Sequence, residues 1–290
     1  MVNNNGNNHI KIGELPDIRV VSARDLHFHE DPDEERLLGL VNRLGGESVL
    51  KNPPIVADCG NDSGFIILDG ANRVTALLKL NFDHIPVQVV AINDPLLTIK
   101  SWNHAVEKLG RQFFMEKLSE MDGINIKEER LFESIEDSGY PINSKGYLCS
   151  FAFEDGSTIS AFNNGELFDM VSKLKKITDL YLHKPLSDRV SYTNLAHLKH
   201  NYPEFRTLMT FRKFAKEELP EIVFAGEKLP AGITRVLLPK RALGLNIQLE
   251  FLKSSLTLDE KNHWLTEMIH RMVLSKSIRF YQEPTFVFDE

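Results

Sequence analysis

The chain has 290 residues, 42% of them hydrophobic, and carries a formal net charge of −7. This length allows one large domain or two modest ones, and the acidic balance disfavours functions that need a large basic surface, so we do not expect nucleic-acid binding. It contains no run of eighteen apolar residues, and its polar opening MVNNNGNNH lacks the regions of a secretion signal. We therefore expect no membrane span and a cytoplasmic location.

Cysteine and histidine patterns give no metal or disulfide signature. The only two cysteines, Cys59 and Cys149, are far apart, which disfavours a disulfide framework or a cysteine zinc site. His197 and His200 have i,i+3 spacing on a predicted helix, but this loose spacing is more typical of a solvated helix face than of a metal site.

The first 95 residues alternate short β-branched runs with stretches of helical periodicity. They predict a strand at 18–21, a helix from about 34 to 44, strands at 53–57 and 65–68, a helix after Asp69, and a strand at 85–92. Asn93-Asp94-Pro95 then predicts a break. We predict an α+β protein with one domain at 1–95 and a second, mixed α/β domain at 96–290.

The second part of the chain predicts longer helices and fewer strands. In order, the predicted elements are a helical stretch from about 96 to 121, a strand at 148–153, helices at 166–175 and 193–216, strands at 232–238 and 245–252, a helix at 258–274, and a closing strand at 286–288.

The segment GFIILDGANRVTAL at 64–77 changes from a strand pattern to a helix pattern at Asp69-Gly70. The N-terminus of a helix has unpartnered N–H groups and a partial positive charge, so it attracts anions such as phosphate. Gly70 allows close backbone approach, and the guanidinium of Arg73 is suited to phosphate oxygens. Asp69 could cap the helix or help to hold a cation. Alone, this pattern is equally consistent with an ordinary helix cap and a surface arginine.

The surroundings of this turn add a resemblance. A strand, a D-G-x-x-R turn and a helix, preceded by PPIV and followed by IPVQVV, resemble the ParB/sulfiredoxin superfamily, in which the turn binds nucleotide phosphates. Five segments occur in the same order as motifs of the free L-serine kinases of that superfamily: FHEDPDEERL at 28–37, DGANR at 69–73, SWNHAV at 101–106, DRVS at 188–191 and PAGITRVLLPKRALGLNIQL at 230–249.

The resemblance implies a ParB/sulfiredoxin-like N-terminal module that binds nucleotide and a C-terminal domain that supplies most of the serine site. It implies phosphorylation of free L-serine to O-phospho-L-serine with ATP or ADP as donor and Mg²⁺ as cofactor, in amino-acid, siderophore or other precursor synthesis. Whether the protein forms a homodimer stays open.

The resemblance also implies roles for individual residues. Glu30 corresponds to the catalytic base, and Asp69 is a second catalytic residue and the one candidate metal ligand. The implied nucleotide ligands are Lys51, Asp69, Gly70, Ala71, Asn72 and Arg73, and the implied substrate ligands are Trp102, His104, Arg189, Thr234, Arg235 and Arg241.

Some of these residues also have ordinary interpretations. A lysine at a strand entrance, such as Lys51, is most often an ordinary exposed residue. Without the order of the family motifs, Trp102 is more typical of a core anchor and His104 of a helix-face residue. Asn72 departs from the family turn, which usually reads D-G-x-H-R; asparagine keeps a hydrogen-bond donor but carries no positive charge.

Two other functions were weighed. A ParB-like DNA-binding regulator with nucleotide as a switch would need a helix-turn-helix, for which 193–216 is the local basic candidate. A sulfiredoxin-like reductase would need a reactive cysteine in the turn, where Ala71 and Asn72 stand instead.

Overall fold

A computed structural model describes residues 14–32, 34–46, 48–60, 63–129, 145–182 and 187–281. The strands are β1 (Asp17–Ser22), β2 (Leu26–Phe28), β3 (Val49–Leu50), β4 (Ile55–Asp58), β5 (Phe65–Asp69), β6 (His84–Ala91), β7 (Thr98–Ser101), β8 (Asn103–Glu107), β9 (Asn125–Glu129), β10 (Tyr147–Phe153), β11 (Thr158–Phe162), β12 (Ser187–Val190), β13 (Phe205–Phe211), β14 (Thr234–Leu237) and β15 (Ile247–Gln248). The helices are α1 (Glu34–Gly46), α2 (Ala71–Lys79), α3 (Arg111–Ser119), α4 (Leu167–Asp179), α5 (Leu195–Asn201), α6 (Glu218–Phe224), α7 (Leu249–Lys253) and α8 (Leu258–Leu274), with a 3₁₀ turn at Ala23–Asp25.

The first sheet has five strands in the order β1-β6-β4-β5-β2. It is mixed: β1 pairs antiparallel with β6 and β4 with β5, whereas β4 runs parallel to β6 and β2 to β5. Its central strands β4, β5 and β6 are largely apolar and mostly buried, whereas the edge strand β1 carries exposed positions. This sheet positions the D-G-x-x-R turn, since β5 ends at Asp69 and α2 starts at Ala71.

The second sheet has six strands in the order β12-β8-β13-β10-β11-β9, and all of its pairs are antiparallel. A two-stranded ribbon of β7 and β14 also forms, with Thr234 opposite Ser101 and Arg235 opposite Lys100. The sequence SWNHAV therefore runs from this ribbon into the second sheet, and PAGITR enters the ribbon from the other side.

Among the described residues, the two larger hydrophobic cores contain residues from both sides of residue 95. One core packs Ile55 and Ile66 of the first sheet with Phe151 of the second. The other packs Val20 of β1 with Leu265 of α8, and the side chain of Asn262 bonds to both the N–H and the carbonyl of Val20, each at 2.8 Å. The domain division at 1–95 and 96–290 stays a prediction, while the packing across it is extensive.

Several predicted elements agree with the structure and others do not. The α+β class is confirmed, as are the strands and helices of the first module and the final helix at 258–274. The helical stretch at 96–121 is wrong: β7 and β8 occupy 98–107, and only 111–119 is helical. The helix at 193–216 is also wrong, since α5 ends at Asn201 and β13 follows. The segment predicted as a strand at 245–252 is β15 followed by the short helix α7.

The two errors at 96–121 and 193–216 have one cause. β8 and β13 pair with each other in the second sheet, so long-range hydrogen bonding overrides the local periodicity. The strand predicted at 286–288 lies outside the described residues. Within the residues that the structure covers, no helix combines the length and apolar character needed to cross a membrane.

Candidate functional site

Gly70 forms the turn between β5 and α2, the segment predicted to bind phosphate. Gly70 precedes the helix with φ of 89°, in the left-handed region that favours glycine. A Cβ at this position would lie 3.1 Å from Pro54 Cβ and 3.2 Å from Arg73 Cζ. Glycine therefore leaves the first turn of α2 open to an anion at the positive end of the helix.

Arg73 is fixed in place by protein contacts. Its Nη1 donates to the carbonyl oxygens of Asn52 at 2.8 Å and Pro53 at 3.3 Å, and its Nη2 lies 3.5 Å from Asp69 Oδ2. Only 15% of the side chain is exposed. The guanidinium is thus held beside the turn without needing a ligand.

Asp69 is held as a carboxylate by two arginines. Burial opposes its ionisation, but the charges of Arg73 and Arg241 and a hydrogen bond from Arg241 outweigh that cost, so the pKa of Asp69 is below its usual value. Arg241 belongs to a segment held against the first sheet, where Gln88 donates to the Lys240 carbonyl at 2.9 Å. Asp69 is therefore already ion-paired.

Glu30 is held by the loop that leads into β14. Its Oε2 accepts a hydrogen bond from the Gly232 N–H at 2.9 Å, and its Oε1 accepts from the N–H and hydroxyl of Thr234 at 2.6 and 2.5 Å. Its side chain is 12% exposed. The carboxylate is therefore oriented by three donors, and Oε2 keeps capacity for a further hydrogen bond.

Glu30 and the phosphate turn face one cleft of about 900 Å³. The cleft is within the size range of small-molecule sites. Its charged lining residues are Arg43, Arg73, Arg189, Arg235 and Arg241 together with Glu30, Asp31 and Asp69. The excess of guanidinium groups suits an anionic ligand.

The ribbon and β12 provide the wall opposite the turn. The guanidinium of Arg235 lies 4.6 Å from the ring centroid of Trp102, a distance typical of cation–π contact. The guanidinium of Arg189 lies directly over Gly232, where a Cβ would clash with it. Trp102, Arg189 and Arg235 all line the cleft, as their predicted substrate role requires.

Of the predicted ligands, Lys51, Thr234 and His104 are placed differently from the rest. Lys51 follows β3 and is not among the cleft-lining residues that the structure describes. Thr234 lines the cleft, but its hydroxyl contacts Glu30 and His29. The sequence therefore predicted that Thr234 lies at the cleft, but not that its hydroxyl contacts Glu30.

His104 lies behind the wall. It is buried, and its Nε2 lies 2.9 Å from the Gly232 carbonyl and its Nδ1 2.7 Å from the Tyr181 hydroxyl. Burial is the main cause that lowers the pKa of His104 to about 4. It is thus a neutral histidine that supports Gly232, and it stands on β8 rather than on the helix face that the sequence offered as the alternative.

Sequence reasoning missed His29 and Gly232. His29 is buried, with Nδ1 bonded to the Ile67 carbonyl and Nε2 2.7 Å from Thr234 Oγ1. Gly232 supplies an N–H to Glu30 and has φ of 71°. The available signals were the histidine directly before Glu30 and the glycine within PAGITR.

No carboxylate-rich metal cluster forms in the described part of the chain: no group of three or more His, Cys, Asp or Glu side chains could hold an ion there. Asp69, the candidate ligand, is engaged by Arg241. The residues present therefore fit Mg²⁺ only if phosphate oxygens and water supply most of its ligands, as Mg²⁺ commonly prefers.

The fold is shared with solved structures that include a free serine kinase. A free serine kinase in complex with AMP superposes with a TM-score of 0.65 at 17% identity, covering 82% of this chain and 94% of its own. A conserved hypothetical protein from Pyrococcus furiosus also has a TM-score of 0.65, at 17% identity, and covers 82% of this chain and 98% of its own. No model of a known protein family matches the chain.

One curated relative has a specific activity in its name. The chain is 20% identical over 276 residues to the ATP-dependent L-serine kinase SbnI of Staphylococcus aureus, covering 94% of this chain and 97% of the relative. The structure of that protein with a C-terminal truncation superposes with a TM-score of 0.67 at 19% identity, over 88% of this chain and 97% of its own. The resemblance to serine kinases predicted from the sequence is confirmed.

Proposed function

We propose that this protein is a nucleotide-dependent kinase that phosphorylates free L-serine to O-phospho-L-serine. The observation that carries the proposal is the placement of a preoriented carboxylate, Glu30, and a phosphate-type turn, 69–73, on one cleft. Similarity over most of the chain to an ATP-dependent L-serine kinase supports the same reaction.

The nucleotide phosphates are assigned to the turn. The N-terminus of α2, Gly70, Ala71 and Asn72 provide the backbone approach, and Arg73 provides fixed positive charge. Asp69 orients Arg73 and Arg241. Mg²⁺ would be held chiefly by phosphate oxygens and water with Asp69 as the neighbouring carboxylate, and when bound it neutralises charge on the transferring phosphoryl group.

The serine is assigned to the opposite wall. Arg235, stacked on Trp102, and Arg189, above Gly232, are positioned for the carboxylate of a free amino acid. Glu30 Oε2 accepts the proton of the serine hydroxyl. The serine oxygen attacks the terminal phosphoryl group of the nucleotide, and the bond from that group to the departing nucleotide breaks. Because phosphoryl transfer depends mainly on alignment and charge neutralisation, this rigid arrangement can supply most of what it needs.

The finer assignments are part of the same proposal. Residues 1–95 form the ParB/sulfiredoxin-like nucleotide module, and 96–290 supply most of the serine site, to which Glu30 is added from the first module. ATP is the first donor to test because of the relative's name, and ADP the second because it accompanies a solved serine kinase variant of this fold. Cytoplasmic location, a homodimer, a role in siderophore or other precursor synthesis, and phosphate contact by Lys51 stay predictions.

The test is a direct assay. Purified protein is incubated with Mg²⁺, free L-serine and either ATP or ADP, and O-phospho-L-serine is measured by mass spectrometry. L-Threonine and L-alanine serve as a larger substrate and as a substrate without a hydroxyl. Product from serine supports the proposal. Absence of product with both nucleotides, together with tight salt-dependent DNA binding, would favour the regulator.

A further inference from the structure

Behind the cleft surface, three hydrogen bonds form a continuous chain that ends at the proposed base. The Ile67 carbonyl contacts His29 Nδ1, His29 Nε2 lies 2.7 Å from Thr234 Oγ1, and Thr234 Oγ1 lies 2.5 Å from Glu30 Oε1. These groups come from β5, from the loop after β2 and from β14. The chain therefore links three distant segments of the sequence at one carboxylate.

The number of available protons limits how the protons can be distributed along this chain of hydrogen bonds. A carbonyl oxygen only accepts hydrogen bonds, so His29 Nδ1 must carry a proton. The two remaining links, on either side of Thr234 Oγ1, need two protons, and the threonine hydroxyl has one. The second proton must therefore reside on His29 Nε2 or on Glu30.

The reaction proposed for Glu30 chooses between these two proton locations. A proton on Glu30 would occupy the group that has to accept the substrate proton. The arrangement that leaves Glu30 ready as a base has the extra proton on His29.

We infer that His29 is a positioning residue: as an imidazolium, it donates through the hydroxyl of Thr234 to Glu30, which fixes Glu30 as a carboxylate with Oε2 directed to the substrate. This inference rests on the proposed kinase function for the choice between the two proton locations. The positive charge of His29 lies 3.8 Å from Glu30 Oε1, so it also offsets the charge of a largely buried carboxylate.

The arrangement keeps the proton balance of the reaction simple. The serine O–H bond breaks, its proton forms a new bond to Glu30 Oε2, and the electron pair of the serine oxygen forms the bond to phosphorus. The bond from phosphorus to the departing nucleotide breaks in the same transfer, and its electron pair stays on the nucleotide oxygen. The proton on His29 does not move in this step. Its role is to hold Oε1 in place through Thr234, which leaves Oε2, with its single N–H donor, to accept the substrate proton.

The first test uses substitutions at Thr234. Thr234→Val removes the hydroxyl at nearly constant volume and breaks the chain, and we expect kcat to fall by about 10- to 10²-fold through misplacement of the base, with a smaller change in KM for serine and nucleotide. Thr234→Ser restores the hydroxyl and is expected to recover most of the loss. Thr266→Val, at an exposed threonine of α8, is the matched control.

The second test does not depend on activity. Nitrogen-15 NMR of the histidine rings in wild-type protein, at the pH of the assay, is expected to show protons on both nitrogens of His29, and Glu30→Gln is expected to remove the proton from Nε2. An unprotonated Nε2 in the wild type would overturn the inference, as would unchanged kcat in Thr234→Val. If the wild type makes no phosphoserine but His29 is doubly protonated, the proton assignment stands and the kinase proposal fails.

Discussion

The carboxylate of Asp69 accepts a hydrogen bond from Arg241, which lies 172 residues further along the chain. The same carboxylate faces Arg73 one helical turn away at 3.5 Å. One end of the phosphate turn is therefore completed by the segment that precedes β15. Because both guanidinium groups are already oriented by Asp69, binding of phosphate would need little rearrangement of charge.

Substitution of Arg73 should affect both the ligand and the fold. Arg73→Ala removes the cation beside the turn and leaves the carbonyls of Asn52 and Pro53 without their donor. We expect nucleotide affinity to fall at least about tenfold and the free energy of unfolding to fall by about 1–2 kcal/mol. Calorimetric titration and urea unfolding measure the two effects, with Arg19→Ala at an exposed arginine as control. Unchanged nucleotide affinity would remove Arg73 from the phosphate site.

Glu30→Gln separates catalysis from binding. The amide cannot accept the substrate proton, so kcat should fall by about 10²–10⁴-fold with little change in KM. In the wild type each oxygen of Glu30 accepts a backbone N–H, from Gly232 or from Thr234. In Glu30→Gln the side-chain NH₂ replaces one of these oxygens, so it faces an N–H donor and one of the two hydrogen bonds is lost. Steady-state kinetics of wild type and Glu30→Gln measure the effect, and Glu227→Gln, at an exposed carboxylate, is the control variant. A kcat near that of the wild type would rule out Glu30 as the base.

Gly232 should be required for serine binding as well as for its left-handed backbone conformation. Gly232→Ala places a Cβ against the guanidinium of Arg189 and strains a φ of 71°. Gly226, with φ of 84° and no atom near the added Cβ, provides a control with the same backbone strain. We expect each alanine variant to lose about 1 kcal/mol of stability, but only Gly232→Ala to raise KM for serine. Equal kinetics in the two variants would count against Arg189 as a substrate ligand.

Protonation of the buried His104 should make the stability of the protein depend on pH. Since burial lowers its pKa to about 4, the unfolded chain binds this proton first as pH falls. Its contribution to stability is therefore fully present above the unfolded pKa near 6.5 and is lost as pH falls toward 4. From about pH 7 to about pH 5 the loss is about 2 kcal/mol. Urea unfolding of wild type and His104→Gln at both pH values measures this loss of stability. If stability changed with pH equally in the two proteins, His104 would not be the cause.

Asn72 tests the departure from the usual D-G-x-H-R turn. Asn72 lines the cleft next to Arg73, so Asn72→His should add a ring donor at the phosphates and keep or raise kcat/KM. Kinetics with both nucleotides measure this. A collapse of turnover with the fold intact would mean that the position contacts a different group here.

The sequence predicted the parts of this protein in which local signals agree with the final contacts. The strand at 65–69, the turn at Gly70 and the helix that follows are defined by a switch in periodicity and a glycine that no other residue replaces easily. The final helix was also predictable, because Thr257 and Glu260 form a capping box.

The sequence could not predict contacts that exist only after distant segments meet. The five residues of β8 are too few to separate a helical period from a strand period, so the sequence predicts a helix there. Nothing local to residue 234 shows that His29 and Glu30 lie beside it, so the sequence alone cannot predict the contacts of the Thr234 hydroxyl with these two residues.

The bonds between Asn262 and Val20 have a consequence for synthesis of the chain. β1 is an edge strand of the first sheet, and the side chain that satisfies its outer N–H and carbonyl is made 242 residues later. The ribosome therefore releases the first sheet with an uncovered edge, and that edge is covered only when almost the whole polypeptide has emerged. A nascent chain interrupted before α8 would expose a strand that is ready to pair with a neighbouring molecule.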